Sequence, residues 1–160
     1  IARHCKHIEI GFASTPYSIT EVNFLADECN VPFLKVASMD LNNIPFLKYI
    51  AEKQLPVFLS TGMGTLDEIS MAVSTIEKAG NFQIVILHCV SLYPTASENI
   101  RLMNITGLRK LFPMYPIGFS DHSTSIGIPV ASVALGAAAE VDELPESDGR
   151  GAGGFGSTGR

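Results

Sequence analysis

Short apolar runs alternate along the chain with segments whose apolar residues recur at helical spacing. The runs cover residues 8–13, 33–37, 57–59, 84–87 and 117–119. They are nearly continuous and contain many β-branched residues, a pattern typical of strands buried on both faces of a parallel sheet. The alternation therefore predicts an α/β fold of five β/α units in series, either an open doubly wound sheet or an arc of a barrel.

Capping signals mark where the helices begin. Ser18 with Glu21, and Thr65 with Glu68, have the spacing of a capping box, in which each side chain satisfies a free backbone donor of the first turn. The helix that follows Thr65 is expected to end at Gly80. Three further helices are predicted, one with Pro45 in its first turn, one over residues 100–112 and one over residues 126–135.

The pattern stops after residue 139. Residues 140–160 contain no apolar run and are rich in Gly and Ser, a composition that buries too little surface to offset the entropy of ordering. We therefore expect one folded domain over residues 1–139 and an irregular or disordered Gly-rich tail over residues 140–160.

Charge and cysteine usage narrow the function classes. The net charge is −5 and no basic stripe is present, which argues against nucleic-acid binding. The three cysteines have no CxxC spacing, so a disulfide framework is not expected and a cytoplasmic location fits best. No apolar run approaches the roughly 20 residues of a membrane span.

Polar side chains cluster where the predicted strands end, which is the edge at which α/β folds bind ligands. The clusters contain Ser14 and Thr15; Lys35, Ser38 and Asp40; Ser60, Thr61 and Gly62; His88, Ser91 and Tyr93; and Ser120, Asp121 and His122.

His88 and His122 each follow a short apolar run. One such histidine alone is more often a hydrogen-bonded core residue, but two at the same sheet edge favour a metal site. Neutral imidazoles suit Mn²⁺, Zn²⁺, Fe²⁺ or Co²⁺, and the residue types do not choose among them. Asp121 either orients His122 or a ligand, or is a solvated loop residue.

Two features of the sequence favour an anion-binding site. Lys35 lies inside an otherwise apolar strand, where it either neutralises an anion in a barrel lumen or extends to water from an edge strand. Residues 60–64, STGMG, precede the helix that begins after Thr65, and small residues let backbone N–H groups approach a phosphate. The alternative for this segment is an ordinary strand-to-helix turn.

The motifs FASTPY, FLKVASMD, PVFLSTGMGTLDEI, ILHCVSLYP and PIGFSDHSTSIGIPVASVALGA together resemble the sialic acid (N-acetylneuraminate) synthase family, which includes legionaminic and pseudaminic acid synthases. The resemblance extends over about residues 10–138. It implies a partial TIM (β/α)₈ barrel, about strands 3–7, as a catalytic domain over residues 1–139. It also implies a transferase that condenses phosphoenolpyruvate with an N-acetylmannosamine-type sugar to give a nonulosonic acid and phosphate.

The resemblance also assigns roles to residues. His88 and His122 would hold a divalent metal, Mn²⁺ or Mg²⁺. Phosphoenolpyruvate and the sugar would be bound by Thr15, Lys35, Ser38, Ser60 and Tyr93, with Lys35 and Asp40 as catalytic residues. Asp40 stands where many relatives carry a Glu that contacts the sugar. A cytoplasmic homodimer is implied as well.

The chain also departs from the family pattern. Strands one, two and eight of the barrel and the antifreeze-like C-terminal domain are not recognised, so we expect an incomplete copy that self-associates through open strand edges. The alternatives are a related phosphoenolpyruvate-dependent 3-deoxy-sugar acid synthase, a general sugar-phosphate-binding domain, and a non-catalytic remnant that serves as an anion-binding interaction module.

Overall fold

The computed structural model describes residues 1–138, so the tail predicted over residues 140–160 lies outside the described residues. Within residues 1–138, the helices are Ala2–His7 (α1), Ile19–Asn23 (α2), Ile44–Glu52 (α3), Leu66–Lys78 (α4), Met103–Leu111 (α5) and Gly127–Ala134 (α6). The strands are Leu34–Val36 (β1), Val57–Ser60 (β2), Ile84–Cys89 (β3) and Ile117–Ser120 (β4). They form one parallel sheet in the order β1-β2-β3-β4.

One predicted strand, over residues 8–13, is wrong. No strand is formed there, and Ile8 and Ile10 are exposed instead of buried. The backbone N–H groups of both residues donate back to carbonyls of α1, at His4 and Cys5. A strand needs a neighbouring ladder, and these donors are already used at the end of the helix.

The chain divides into two compact units, Ile1–Ile86 and a second that begins at Leu87. In the first unit β1 and β2 pair in parallel, with Leu34 opposite Val57 and Val36 opposite Leu59. These four side chains are fully buried. Helices α3 and α4 pack against each other, with the apolar face of each buried.

The two predicted capping boxes form differently. At α4 the Thr65 side chain accepts from the Glu68 backbone, and the Glu68 carboxylate accepts from the Thr65 backbone, which completes the box. At α2 Ser18 accepts from the Glu21 backbone, but the Glu21 carboxylate accepts from the N–H of Tyr17. Helix α2 then continues as a π-helical turn, Phe24–Glu28.

A buried amide joins three segments of the first unit. Asn81 is 1% exposed, and its Nδ2 donates to the carbonyls of Leu55 (2.8 Å) and Ala51 (3.4 Å). Its Oδ1 accepts from the Gln83 backbone at 2.9 Å. This side chain therefore links the end of α3, the loop before β2 and the start of β3.

The second unit contains the end of β3, β4 and helices α5 and α6. The buried residues Ile105 and Leu108 of α5 and Ile117 of β4 contribute to its core. After α6 the chain turns at Gly136, whose φ is +87°, and Ala138 donates to the Ile117 carbonyl at 2.7 Å. No helix among the described residues has the length and apolar character needed to cross a bilayer.

Candidate functional site

The loops that follow β1 and β2 are fastened to each other. The Gly62 N–H donates to Ser38 Oγ at 3.0 Å. A Cβ at Gly64 would collide with the side chain of Leu41, so the two loops are also in close contact there. The structure thus brings together two of the predicted anion-binding segments, residues 38–41 and 60–64.

Ser60 ends β2 with a buried hydroxyl. The residue is 2% exposed, and its Oγ has no hydrogen-bond partner among residues 1–138. A buried polar atom without a partner costs about 1–3 kcal/mol. Such an atom needs an explanation, and an absent ligand is one of the usual ones.

The N-terminus of α4 contributes less to an anion site than the sequence predicts. The Glu68 carboxylate already accepts from the Thr65 N–H at 2.8 Å and from Thr65 Oγ1 at 3.0 Å. These hydrogen bonds lower the pKa of Glu68, so a negative charge of the protein occupies the helix end. Anion binding would therefore rely on Ser60 and the Gly62 loop more than on the helix cap.

Lys35 lies on β1 opposite Phe58 in the register of the sheet. It is half-buried, whereas its neighbours Leu34 and Val36 are fully buried on the other face, as the alternation of side chains along a strand requires. The ring centroids of Phe33 and Phe58 are 4.2 Å apart. An aromatic pair thus shares the face from which Lys35 projects.

Asp40 ends the 3₁₀ turn Ser38–Asp40 that follows β1. Its Oδ1 accepts from Asn43 Nδ2 at 3.2 Å, and its backbone carbonyl accepts from the Asn43 N–H at 3.0 Å. The carboxylate is half-buried. Thr15 is also half-buried, in the loop before α2.

In the second unit, His88 lies near the end of β3. It is 5% exposed, and its Nε2 has no partner among the described residues. Burial lowers the pKa of His88, so the imidazole is neutral at pH 7. Its ring stacks with Phe119, with 5.8 Å between the ring centroids.

His122 follows β4 and is held by a backbone group. Its Nδ1 lies 2.7 Å from the Val90 carbonyl oxygen. Because a carbonyl only accepts, Nδ1 carries a proton, and in the neutral imidazole Nε2 then keeps the lone pair. Ser120 Oγ is 3.5 Å from Nε2, and the Tyr93 ring lies against the imidazole at 4.1 Å between centroids.

The loop after β3 is joined to the end of β4 by Thr95. The Thr95 N–H donates to the His122 carbonyl at 2.9 Å, and Thr95 forms a parallel bridge with Ser123. Asp121 accepts from the N–H and the hydroxyl of Ser123. Asp121 thus stabilises its own turn, and the Val90 carbonyl orients His122.

Sequence reasoning missed both Val90 and Thr95. Val90 acts through its backbone carbonyl, which every residue type carries, so no pattern could have identified it. Thr95 follows the Tyr93–Pro94 dipeptide, which indicates a turn but not the loop that the turn contacts.

The side chains of His88 and His122 fit a divalent cation in part. Among residues 1–138, no group of three or more His, Cys, Asp and Glu side chains is assembled for a metal, so protein ligands would be the histidines, with water or substrate oxygens completing the shell. The Nε2 of His122 has only a long contact, to Ser120 Oγ at 3.5 Å, and its other nitrogen is hydrogen-bonded, the usual arrangement of a metal-binding histidine. The Nε2 of His88 is buried from solvent.

Comparisons with known proteins identify a family for this chain. The model of the NeuB family matches residues 1–140. Human N-acetylneuraminate-9-phosphate synthase is 42% identical over 137 residues, which cover 86% of this chain and 38% of that protein. The crystal structure of an N-acetylneuraminic acid synthetase from Leptospira borgpetersenii has a TM-score of 0.79 and 38% identity, covering 84% of this chain and 46% of that one.

A phospho-2-dehydro-3-deoxyheptonate aldolase from Thermotoga maritima has a TM-score of 0.72 at 18% identity, covering 85% of this chain and 42% of that one. This likeness concerns the fold alone. The four parallel strands and their helices are part of a (β/α)₈ barrel, as predicted. The chain spans less than half the length of these relatives.

Proposed function

The chain belongs to the NeuB family, and on that premise we propose that it takes part in the condensation of phosphoenolpyruvate with an N-acylated hexosamine such as N-acetylmannosamine. Enzymes of this family are carbon–carbon bond-forming transferases. In the proposed reaction, C3 of the enol attacks the sugar aldehyde, water adds at C2, and phosphate leaves. The product is a nonulosonic acid.

The observation that carries the proposal is the buried, unpartnered hydroxyl of Ser60. A phosphate or carboxylate oxygen of phosphoenolpyruvate would accept its hydrogen bond and remove the cost of burial. Ser38 and Gly62 hold the adjoining loops together, and Lys35 supplies a positive charge from β1. In the proposal these groups, with Thr15, bind the anion.

The sugar is assigned to Asp40 and Tyr93. The carboxylate of Asp40, anchored by Asn43, would accept hydrogen bonds from sugar hydroxyl groups and take up the proton released by the water that adds at C2. Tyr93 is exposed and stacked on His122, so its ring offers an apolar face and a hydroxyl to the acceptor.

His122 and His88 are the proposed ligands of Mn²⁺ or Mg²⁺, and His122 is the better supported of the two. Its Nε2 lone pair is available, whereas the Nε2 of His88 is reached only if its surroundings open. When bound, the cation would polarise the sugar aldehyde as a Lewis acid. Imidazole donors favour Mn²⁺ over Mg²⁺.

Calorimetric titration of phosphoenolpyruvate into the 160-residue chain tests the anion site. We expect binding that weakens at least about tenfold in Ser60→Ala, because a hydrogen bond to a charged group contributes about 1.5–3 kcal/mol. Ser70→Ala is the matched control, since Ser70 lies on the exposed side of α4 and donates only to Leu66. Equal affinities in wild type and Ser60→Ala would contradict the proposal.

Release of phosphate from phosphoenolpyruvate in the presence of N-acetylmannosamine and Mn²⁺ tests turnover. The aldose that the enzyme accepts separates this reaction from that of a 3-deoxy-sugar acid synthase.

A homodimer in the cytoplasm completes the proposal. None of the three cysteines forms a disulfide, which fits a reducing compartment. Light scattering across a concentration series would measure the oligomeric state.

A further inference from the structure

We propose that Thr95 is a positioning residue that selects the tautomer of His122, leaving Nε2 as the lone-pair donor. The inference rests on the proposed function only in one respect, the metal ion that Nε2 would bind. The tautomer itself follows from contacts within the second unit.

Thr95 lies in the loop between β3 and α5 and makes three polar contacts. It is 4% exposed, and its hydroxyl lies 2.7 Å from the Leu92 carbonyl oxygen and 3.4 Å from that of Val90. Its backbone N–H donates to the His122 carbonyl. The same residue therefore fixes the shape of residues 90–95 and attaches that loop to His122.

The Val90 carbonyl is the group that this arrangement positions. At 2.7 Å it accepts the proton of His122 Nδ1, which stabilises the Nδ1–H tautomer against the Nε2–H tautomer that free histidine prefers. The Val90 carbonyl also accepts from the Leu92 N–H at 2.9 Å. The Thr95 hydroxyl donates to the Leu92 carbonyl at 2.7 Å, so it restrains the turn that holds the Val90 carbonyl. Loss of the hydroxyl would let these carbonyls rotate and weaken that preference.

Among residues 1–138, the side chains that contact the ring do not take this role. Asp121 is engaged by Ser123, and Ser120 Oγ is at 3.5 Å from Nε2, too far to fix the ring. Tyr93 stacks on the face of the imidazole and does not distinguish between the two nitrogens. The tautomer therefore depends on Val90 and on the residue that orients it.

Nitrogen-15 NMR of the metal-free chain reads the tautomer directly, since two-bond correlations show which ring nitrogen of His122 carries the proton. In wild type above pH 7.5 we expect Nδ1–H. In Thr95→Val, which keeps the backbone N–H and the side-chain volume, a substantial population of the Nε2–H tautomer should appear. Thr95→Ser should retain the wild-type tautomer.

Thr75→Val is the matched control, because Thr75 Oγ1 also donates to a backbone carbonyl, that of Met71, at 2.8 Å. It should leave the His122 spectrum unchanged. Mn²⁺ titration gives a second readout: Thr95→Val should lower the affinity about 10–100-fold, as loss of an outer-shell partner does.

An Nε2–H tautomer in wild type would overturn the inference even if Thr95→Val does not fold. An unchanged tautomer in folded Thr95→Val would overturn it too. If the tautomer shifts as expected but wild type binds no Mn²⁺, the positioning role stands and the proposed metal site fails.

Discussion

Removal of the Asn81 side chain is a stringent test of how the first unit is held together. In Asn81→Ala the hydrogen bonds to Leu55 and Gln83 are lost. The Leu55 carbonyl receives no other hydrogen bond within the described residues. The Ala51 carbonyl remains satisfied, because Gln54 donates to it from both its backbone and its side chain.

The expected loss of stability follows from these contacts. Two hydrogen bonds contribute about 0.5–1 kcal/mol each, and an unsatisfied buried carbonyl adds about 1–2 kcal/mol, so we expect Asn81→Ala to lower the free energy of unfolding by about 2–4 kcal/mol. For a slope near 2 kcal/mol per molar urea, the midpoint would fall by about 1–2 M. That is a large part of the 5–15 kcal/mol typical of a folded domain.

Urea titration followed by circular dichroism measures the change. Asn104→Ala is the control, since Asn104 is exposed on α5 and the substitution should stay within about 0.5 kcal/mol of wild type. A midpoint for Asn81→Ala equal to that of Asn104→Ala would refute the reasoning, because the buried amide would then contribute nothing beyond its surface counterpart.

The remaining predictions concern charge. Burial lowers the pKa of His88, so below the ordinary histidine pKa the unfolded chain takes up a proton that the folded chain does not. The free energy of unfolding should therefore fall between pH 7.5 and 5.5. His88→Phe should reduce this fall, whereas substitution of the exposed His4 by Asn should not. Equal pH dependence of wild type and His88→Phe in urea titrations would contradict this prediction. Lys53 pairs with Asp27 at 2.7 Å and lies 5.7 Å from the centre of the Tyr49 ring, so Lys53→Met should cost about 0.5–1 kcal/mol, and Lys48→Met, which removes only an exposed pair at 3.9 Å, should cost less. A Lys53→Met midpoint no lower than that of Lys48→Met would count against the pairing. Hydrogen bonds from Thr65 lower the pKa of Glu68, so the capping box should lose its stabilising effect as the pH falls below the ordinary glutamate range, and Glu68→Gln should remove that part of the acid sensitivity. An acid-unfolding curve of Glu68→Gln that coincides with that of wild type would argue against it.

Burial explains which elements the sequence predicted correctly. Strands β1 to β4 were predicted because runs such as residues 84–87 are nearly continuous and β-branched, and such runs are buried in a parallel sheet. Residues 8–13 have a similar composition but no strand forms there. Apolar content alone does not report whether a ladder partner is present, so the run at residues 8–13 could not be distinguished from a strand.

The candidate site was predictable only where side-chain type carries the chemistry. Ser60 and His122 were identified because a hydroxyl and an imidazole at strand ends are recognisable in a sequence. What fastens His122 is the Val90 carbonyl, and what limits the α4 terminus as an anion site is its own Glu68. Both effects depend on the three-dimensional arrangement. The position of His122 depends on a backbone group, which no residue type reveals. The limit on anion binding comes from the Glu68 carboxylate, whose capping role was predicted but whose effect on a ligand was not.

Within residues 1–138, two buried side-chain atoms without hydrogen-bond partners give the strongest link between stability and function. Ser60 Oγ and the Nε2 of His88 each lie near the carboxyl end of a strand, and each costs the fold free energy that an apolar side chain would not. A sequence selected for stability alone would replace them, whereas groups that meet a ligand are kept at that cost. Substitution of Ser60 by Ala should therefore raise the unfolding midpoint while it weakens phosphoenolpyruvate binding. A purely structural serine would show neither effect, so the opposite signs of the two changes distinguish a binding residue from a tolerated defect.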